Sequence, residues 1–238
     1  MSAVLHADWI GKRFGDRRIL SAATLTAGAG EIVVLLGRNG CGKTTLLRIC
    51  AGMLRADHGV LRFRGDVIRR PRLHRLARRG LFMLPERGLL ARGRALDDQL
   101  ALVARRYRAT GVKALLERFA LDAPGLLESS GASLSTGERR RAEVVMALLR
   151  DPVCLLADEP LQGIAPRDAD LMSAAFRDLA ARGCAVIITG HEVPSLLDLA
   201  DRIVWMSAGT THDLGTATAA LDNHSFRREY LEQAEPTH

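Results

Sequence analysis

The order of apolar and polar residues along the chain predicts strands and helices that alternate. Up to residue 25 the pattern suits two antiparallel strands, joined by a turn near Gly15 and Asp16. Continuous apolar runs follow at residues 31–36 and 153–157, as in strands that are buried on both faces. Shorter strand patterns occupy residues 60–64, 81–84, 185–189 and 203–206.

Helical spacing of apolar residues separates these strands. The predicted helices cover residues 43–51, 96–107, 112–119, 138–149, 167–182 and a stretch near 194–200, followed by a small C-terminal helix. Between residues 87 and 150 no convincing strand interrupts the helices. We therefore predict an α/β fold with a mostly parallel sheet flanked by helices, antiparallel β strands at the N-terminus and an inserted helical subdomain. Residues 1–238 would form a single domain, with 1–86 and 151–238 as its core and 87–150 as the helical subdomain.

The composition is that of an ordinary globular protein. Of the 238 residues, 47% are hydrophobic and 26% are charged. No stretch approaches the roughly 18 apolar residues of a membrane span, and the N-terminus lacks the apolar core of a signal peptide. We therefore expect the chain in the cytosol. The cysteines are scattered without a C-x-x-C pair, so we expect reduced, mostly buried thiols at Cys41, Cys50, Cys154 and Cys184.

The formal net charge of +7 comes almost entirely from arginine, since Lys12, Lys43 and Lys113 are the only lysines. The densest cluster comprises Arg69, Arg70, Arg72, Arg75, Arg78 and Arg79. This cluster is either a solvated helix face or a surface turned toward a membrane or a membrane partner. Aromatic residues make up 4% of the chain and do not interleave with the cluster, so we expect no specific nucleic-acid binding.

A glycine-rich segment directly follows the apolar strand at residues 31–36 and precedes a helix. It fits the pattern G-x-x-x-x-G-K-[ST] of a P-loop, in which backbone amides and the N-terminal end of the helix hold phosphates. The predicted nucleotide-binding residues here are Gly37, Arg38, Asn39, Gly40, Cys41, Gly42, Lys43, Thr44 and Thr45. Lys43 would neutralise the β- and γ-phosphates, and Thr44 would help to hold Mg²⁺. The fold class is therefore that of a P-loop NTPase, with ATP and Mg²⁺ as the expected ligands.

Two carboxylates follow the apolar strand at residues 153–157. Asp158 would ligate Mg²⁺, and Glu159 would accept a proton from the attacking water. The alternative is an acidic pair that caps a helix.

A second candidate phosphate cradle lies far downstream of the P-loop. Residues 134–138, with the sequence Leu-Ser-Thr-Gly-Glu, stand at the start of another predicted helix. Because one ATP needs one such cradle, the second predicts a site that is shared between two chains.

Together, the motifs resemble the nucleotide-binding subunit of an ATP-binding-cassette (ABC) transporter, and the match spans essentially the whole chain. The P-loop, residues 134–138, the two carboxylates and a lone histidine after a strand occur in that family's order and spacing. The resemblance implies that Ser135 and Gly137 grip the γ-phosphate of ATP on a second subunit's P-loop. It also makes His191 a catalytic contact to the γ-phosphate, beside Glu159 and Lys43. Phe14 stands where the family has an aromatic that stacks on adenine, with a core phenylalanine as the alternative.

Three positions depart from the family's usual pattern. Thr136 replaces the first of two glycines, Glu86 replaces a glutamine that senses Mg²⁺, and Ala165 replaces an aspartate that crosses the dimer interface. Since glutamate also ligates Mg²⁺, Glu86 remains a candidate metal ligand. The resemblance puts the interface contact at Ala165 in doubt.

The resemblance also implies partners, a location and a cargo. The expected partners are a second ABC ATPase subunit, identical or not, and membrane-spanning permease subunits that hold the chain at the inner face of the membrane. Residues 85–87, 163–166 and 226–231 are similar to the branch that imports branched-chain amino acids, and the last segment also to ATPases of lipopolysaccharide export. The alternatives are a soluble ABC ATPase without a permease, for example in iron–sulfur cluster assembly, or a nucleic-acid-associated ATPase.

Overall fold

A computed structural model describes residues 3–191 and 193–230. Within these residues, ten strands form one sheet in the order β5-β4-β1-β2-β10-β9-β3-β8-β7-β6. The strands are β1 (Ala3–Phe14), β2 (Arg17–Gly28), β3 (Ile32–Gly37), β4 (His58–Phe63), β5 (Asp66–Val67), β6 (Leu81–Leu84), β7 (Cys154–Ala157), β8 (Ala185–Gly190), β9 (Arg202–Ser207) and β10 (Thr210–Gly215). The helices are α1 (Lys43–Cys50), α2 (Leu73–Arg78), α3 (Leu96–Tyr107), α4 (Val112–Arg118), α5 (Thr136–Arg150), α6 (Pro166–Ala181), α7 (Val193–Leu197), α8 (Ala217–Asp222) and α9 (His224–Tyr230).

One part of the sheet is antiparallel, as the sequence predicts. Strands β1 and β2 form a hairpin with Phe14 opposite Arg17, and Gly15 adopts a left-handed backbone (φ 56°) in the turn between them. Strand β2 continues to Gly28, three residues beyond the predicted end at residue 25. Strands β4 and β5 complete this part of the sheet through antiparallel pairs.

The other part of the sheet is parallel and positions the site. Strand β3 pairs in parallel with β8 and β9, and β7 pairs in parallel with β6 and β8. Every residue of β3, β7 and β8 is buried, which explains their continuous apolar sequences. Because parallel strands end at the same edge, the segments that follow β3, β6, β7 and β8 meet there.

Alternate residues of these strands enter two hydrophobic clusters on opposite faces of the sheet. Val34 and Leu36 pack into the cluster with α5 and α6, whereas Val33 and Leu35 pack into the cluster with α1 and the N-terminal strands. Both faces of the strand that precedes the P-loop are therefore covered.

Three helices lie in the chain between residues 87 and 150. Helix α5 contacts α3, α4 and α6, and its buried residues belong to the same cluster as those of β3, β7 and β8. In this region, Ala95 and Ser130 form an isolated antiparallel β-bridge that belongs to none of the named strands. The division into core and helical subdomain stays a prediction, since α5 packs on the sheet while it also contacts α3 and α4.

Three elements were missing from the sequence prediction: helix α2, strand β10 and the two-residue strand β5. Helix α2 buries only Leu76 among its six residues, so it gives almost no apolar periodicity. Strand β10 has no fully buried residue, and its pairing with β9 holds it in the sheet.

Candidate functional site

The loop between β3 and α1 is shaped by its glycines. Gly40 and Gly42 have positive φ angles of 80° and 117°, which side chains disfavour. A Cβ on Gly42 would lie 2.8 Å from a Leu20 methyl carbon, and one on Gly37 would lie 2.5 Å from Cys41 Sγ. Arg38, Asn39 and Gly40 are exposed at the tip of the loop. The loop therefore has the tight turn and the exposed backbone that a phosphate cradle requires.

Lys43, the first residue of α1, is buried within the loop. Its Nζ donates to Gly37 O at 2.7 Å and to Arg38 O at 3.4 Å, and lies 3.3 Å from Glu159 Oε1. These carbonyl and carboxylate oxygens hold the buried amino group of Lys43 in place. The lysine can thus neutralise phosphate groups that enter the loop.

A hydroxyl–carboxylate network connects α1 with the ends of β7 and β8. Thr44 Oγ1 donates to Asp158 Oδ1 at 3.0 Å, and Thr189 Oγ1 donates to the same oxygen at 2.9 Å. The Thr189 hydroxyl also accepts from the Glu159 backbone N–H at 2.9 Å. Burial raises the pKa of Asp158; the hydrogen bonds from Thr189 and Thr44 oppose this shift, and the charges of Glu159 and Glu86 add to it. A cation beside Asp158 would relieve this unfavourable charge.

Thr189 was not among the residues predicted from the sequence. Its only local signal is a hydroxyl near the end of an otherwise apolar strand. Its contacts with the Asp158 carboxylate and the Glu159 backbone N–H form only once β7 and β8 are paired.

Glu159 is 9% exposed and adopts a left-handed backbone with φ 47°, which is uncommon for a residue with a side chain. Its Oε2 lies 3.4 Å from His191 Nδ1, at the end of β8. That nitrogen is buried and forms no hydrogen bond with the described residues. The carboxylate is thus held between an ammonium group on one side and an imidazole on the other. A base at this position can accept a proton from a water molecule that both groups help to orient.

A pocket in front of the P-loop brings together residues from three parts of the chain. It is lined by Phe14, Arg17, Ile19, Gly40, Gly42, Lys43, Thr44, Thr45 and Glu159. Phe14 is 50% exposed, so the alternative of a core phenylalanine is wrong. Arg17 and Ile19 were not predicted, because nothing in the local pattern of β2 distinguishes them. An exposed ring beside a phosphate cradle suits a ligand with a flat ring and phosphates.

The second candidate cradle lies at the start of α5. Ser135 Oγ accepts from the Glu138 backbone N–H at 3.2 Å, and Glu138 Oε2 accepts from the Ser135 backbone N–H at 2.8 Å. This capping box satisfies two donors of the first helical turn. Hydrogen bonds from the Ser135 hydroxyl and N–H lower the pKa of Glu138. Ser135 and Thr136 are exposed, and none of the residues 134–138 lines the P-loop pocket.

Gly137 is closely packed against α6. A Cβ on Gly137 would lie 2.6 Å from Asp168 Oδ2, and the other oxygen of Asp168 accepts from Arg141 NH1 at 2.8 Å. Ala165 is the N-cap of α6, so Asp168 lies within the first turn of the helix that begins after Ala165. The ion pair thus links that helix to the second candidate cradle.

Glu86 is exposed after β6, and its charge contributes to the raised pKa of Asp158. Its backbone is fixed by α5, because Arg140 donates to Pro85 O at 2.9 Å and to Glu86 O. Arg140 NH1 also lies 3.1 Å from Oε2 of the buried Glu143. Hydrogen bonds from Arg140 therefore tie the segment that contains Glu86 to the helix that begins at the second cradle.

We expect Cys41 to react with iodoacetamide slowly at pH 7 and faster as the pH rises. Burial raises the pKa of the thiol, although the charge of Lys43 opposes this shift, and the thiolate is the reactive form. Bound ATP should slow the reaction, and modified protein should no longer bind nucleotide. Mass spectrometry of labelling rates between pH 7 and 9.5 measures this, and the three buried cysteines serve as internal controls. Equal labelling with and without ATP would contradict a position of Cys41 beside the nucleotide.

A P-loop beside paired carboxylates at the C-terminal edge of a parallel sheet defines the class as a P-loop ATPase. Comparison with known proteins refines this class. Residues 20–162 match the family model described as "ABC transporter". A probable ABC transporter ATP-binding protein of Azorhizobium caulinodans is 35% identical over 95% of this chain and 82% of its own length. The lipopolysaccharide export system ATP-binding protein LptB of Escherichia coli K12 is 34% identical over 96% of this chain and 97% of its own length.

Solved structures agree with this fold. The ATP-binding subunit of an ABC transporter superimposes with a TM-score of 0.81 at 23% identity, with 97% of both chains covered. The ADP conformation of another transporter's ATP-binding cassette gives 0.80 at 21% identity, covering 97% of this chain and 99% of that one. The chain belongs to the ABC transporter family as an ATP-binding subunit, and it is an ATPase.

Proposed function

We propose that the chain hydrolyses ATP in sites formed jointly by two ABC subunits. Each site would combine the P-loop and carboxylates of one chain with Ser135 and Gly137 of the other. The observation that carries the proposal is the position of the second cradle. Its capped, exposed helix start is separate from the pocket of its own P-loop, so it is free to serve another chain's nucleotide.

Within one chain, Lys43 would exchange its contacts with Gly37 O and Arg38 O for the β- and γ-phosphates. Phe14 would stack on the base. Glu159 would take a proton from the water that attacks the γ-phosphorus, while the bond from that phosphorus to the β–γ bridging oxygen breaks and ADP leaves. His191 would hold the γ-phosphate from the end of β8, and its nearby Nδ1 would keep the Glu159 carboxylate oriented.

Mg²⁺ fits the oxygen atoms at this site. Thr44 Oγ1 and Asp158 Oδ1 lie 3.0 Å apart, and the buried carboxylate lacks a compensating cation among the described residues. No group of three or more acidic, histidine or cysteine side chains in the described chain could hold a metal on its own. We infer that Thr44 and Asp158 hold Mg²⁺ together with phosphate oxygens and water, and Glu86 stays a further candidate ligand from the sequence. Bound there, the ion would neutralise charge on the phosphates.

We further infer that the chain works with membrane-spanning permease subunits at the inner, cytoplasmic face of a membrane. In the part of the chain that the structure describes, no helix is long and apolar enough to cross a bilayer. Residues 87–150 would receive a permease helix, and the bonds from Arg140 to the Glu86 segment would relay its movement to the nucleotide. The exposed apolar side chains Leu89 and Leu102 lie in this region.

The transported molecule has two candidates. Import of branched-chain amino acids stays a prediction from the sequence. The second candidate is lipopolysaccharide. It is favoured by relatives whose names state a cargo, because the LptB proteins of E. coli and Haemophilus influenzae, the latter 32% identical, belong to lipopolysaccharide export systems. Purification from membranes together with the permease, followed by identification of that permease and its cargo, decides between them.

Dimer formation tests the shared site directly. A non-hydrolysable ATP analogue with Mg²⁺ should convert the chain from monomer to dimer, measured by light scattering after gel filtration. Ser135→Arg should still bind the analogue but remain monomeric, since the long cation would block the second cradle. Ser133→Arg, at an exposed serine two residues earlier, is the matched control and should dimerise. A dimer of normal stability in Ser135→Arg would contradict the shared site.

A further inference from the structure

A shallow groove beside α2 is rich in arginine side chains. It runs between β5, at the edge of the sheet, and α2. We call it the arginine groove; its lining residues are Val67, Ile68, Arg69, Arg70, Arg72, Arg75, Leu76 and Arg79. Since none of these residues lines the P-loop pocket, the groove is separate from the ATPase site.

Most of the positive charge in the arginine groove is uncompensated. Arg79 donates to Asp66 Oδ2 at 2.7 Å and lies over the Phe63 ring, so it is held within the fold. The other four arginines are exposed and form no ion pair with the described residues. Four exposed arginines without ion-pair partners create a positive potential that attracts anions, so the groove has the character of a binding surface.

The chemistry of the arginine groove favours phosphate groups on an amphiphile. A guanidinium group can hold two oxygens of one phosphate at the same time. The groove also exposes aliphatic surface, since Val67 is 51% exposed and Ile68 is partly exposed, whereas Leu76 is buried. Its lining has no aromatic ring on which a nucleic-acid base could stack. A molecule that carries phosphates on a partly apolar group would match both the arginines and the aliphatic side chains.

We propose that the arginine groove binds the headgroups of anionic phospholipids at the membrane surface. The proposal rests on the proposed function in one respect, since a permease partner would bring the chain to that surface. Arg69, Arg70, Arg72 and Arg75 contact the phosphates, while Val67 contacts the glycerol region. The groove thereby holds the ATPase against the membrane independently of nucleotide.

Vesicle binding tests this inference on the purified full-length chain. The probe is a sedimentation assay with phosphatidylcholine vesicles that contain 30% phosphatidylglycerol, compared with pure phosphatidylcholine. We expect binding to the anionic vesicles alone. The triple variant Arg69→Gln/Arg72→Gln/Arg75→Gln should bind them roughly 100-fold more weakly, as three basic residues each contribute about fivefold near such a surface. Its ATPase activity without vesicles should equal that of the unmodified chain.

A matched variant separates the groove from net charge. Arg105→Gln/Arg108→Gln/Lys113→Gln removes three exposed positive charges from the region of α3 and α4 and should bind anionic vesicles almost normally. Equal losses in both triple variants, or no loss in the groove variant, would overturn the inference. So would a single-stranded RNA that displaces the vesicles and itself requires the groove arginines, because the groove would then be a nucleic-acid surface. ATPase activity and nucleotide-driven dimerisation, measured without lipid, report on the proposed function separately.

Discussion

Glu159→Gln should lower ATP turnover by at least about 100-fold while nucleotide binding is retained. The amide keeps the size of the side chain but cannot accept the proton of the attacking water. Removing the carboxylate also removes a negative charge 3.3 Å from Lys43 Nζ, which leaves the ammonium group free for phosphate. The variant should therefore accumulate as an ATP-bound dimer.

Two measurements check this expectation. Phosphate release at saturating ATP gives the turnover, and gel filtration with ATP and Mg²⁺ gives the dimer fraction. Glu128→Gln, at an exposed carboxylate on a loop, is the control and should behave like the unmodified chain. Turnover of Glu159→Gln within threefold of normal would exclude Glu159 as the base.

Local sequence was sufficient to predict the parallel strands and the P-loop. Strands β3 and β8 are buried on both faces, so the physical constraint on each appears directly as a continuous apolar run. The P-loop is also local, because its glycines, Lys43 and Thr44 all lie between one strand and the next helix. Asp158 and Glu159 were found for the same reason, at the end of such a strand.

Features that depend on distant pairing were not predicted. Thr189 acquires its role because β8 lies beside β7, which brings its hydroxyl to Asp158. Strand β10 has polar residues and is defined by its partner β9 rather than by its own apolar pattern. The ion pair between Arg141 and Asp168 likewise depends on the packing of α5 against α6.

Gly137→Ala should reduce ATP turnover by more than tenfold and leave ATP binding by the P-loop intact. The added Cβ would lie 2.6 Å from Asp168 Oδ2, closer than such atoms approach in proteins. Because the other oxygen of Asp168 is paired with Arg141, moving Asp168 or the start of α5 should cost about 1–3 kcal/mol. A displacement near 1 Å of groups that position a reacting phosphate costs about 100-fold in rate. If the second cradle serves the partner's nucleotide as proposed, the loss should appear in turnover and dimerisation.

A second substitution identifies the cause of this loss. Asp168→Ser shortens the side chain that the new methyl group meets, so the double variant Gly137→Ala/Asp168→Ser should regain much of the turnover. Gly93→Ala is the matched control, because Gly93 has no atom within 4 Å of its added Cβ and no positive φ, and it should be fully active. If the double variant stays as inactive as Gly137→Ala, the added methyl group interferes directly with the bound phosphate rather than through Asp168. Recovery would instead show that Asp168, one helical turn after Ala165, sets the position of the second cradle.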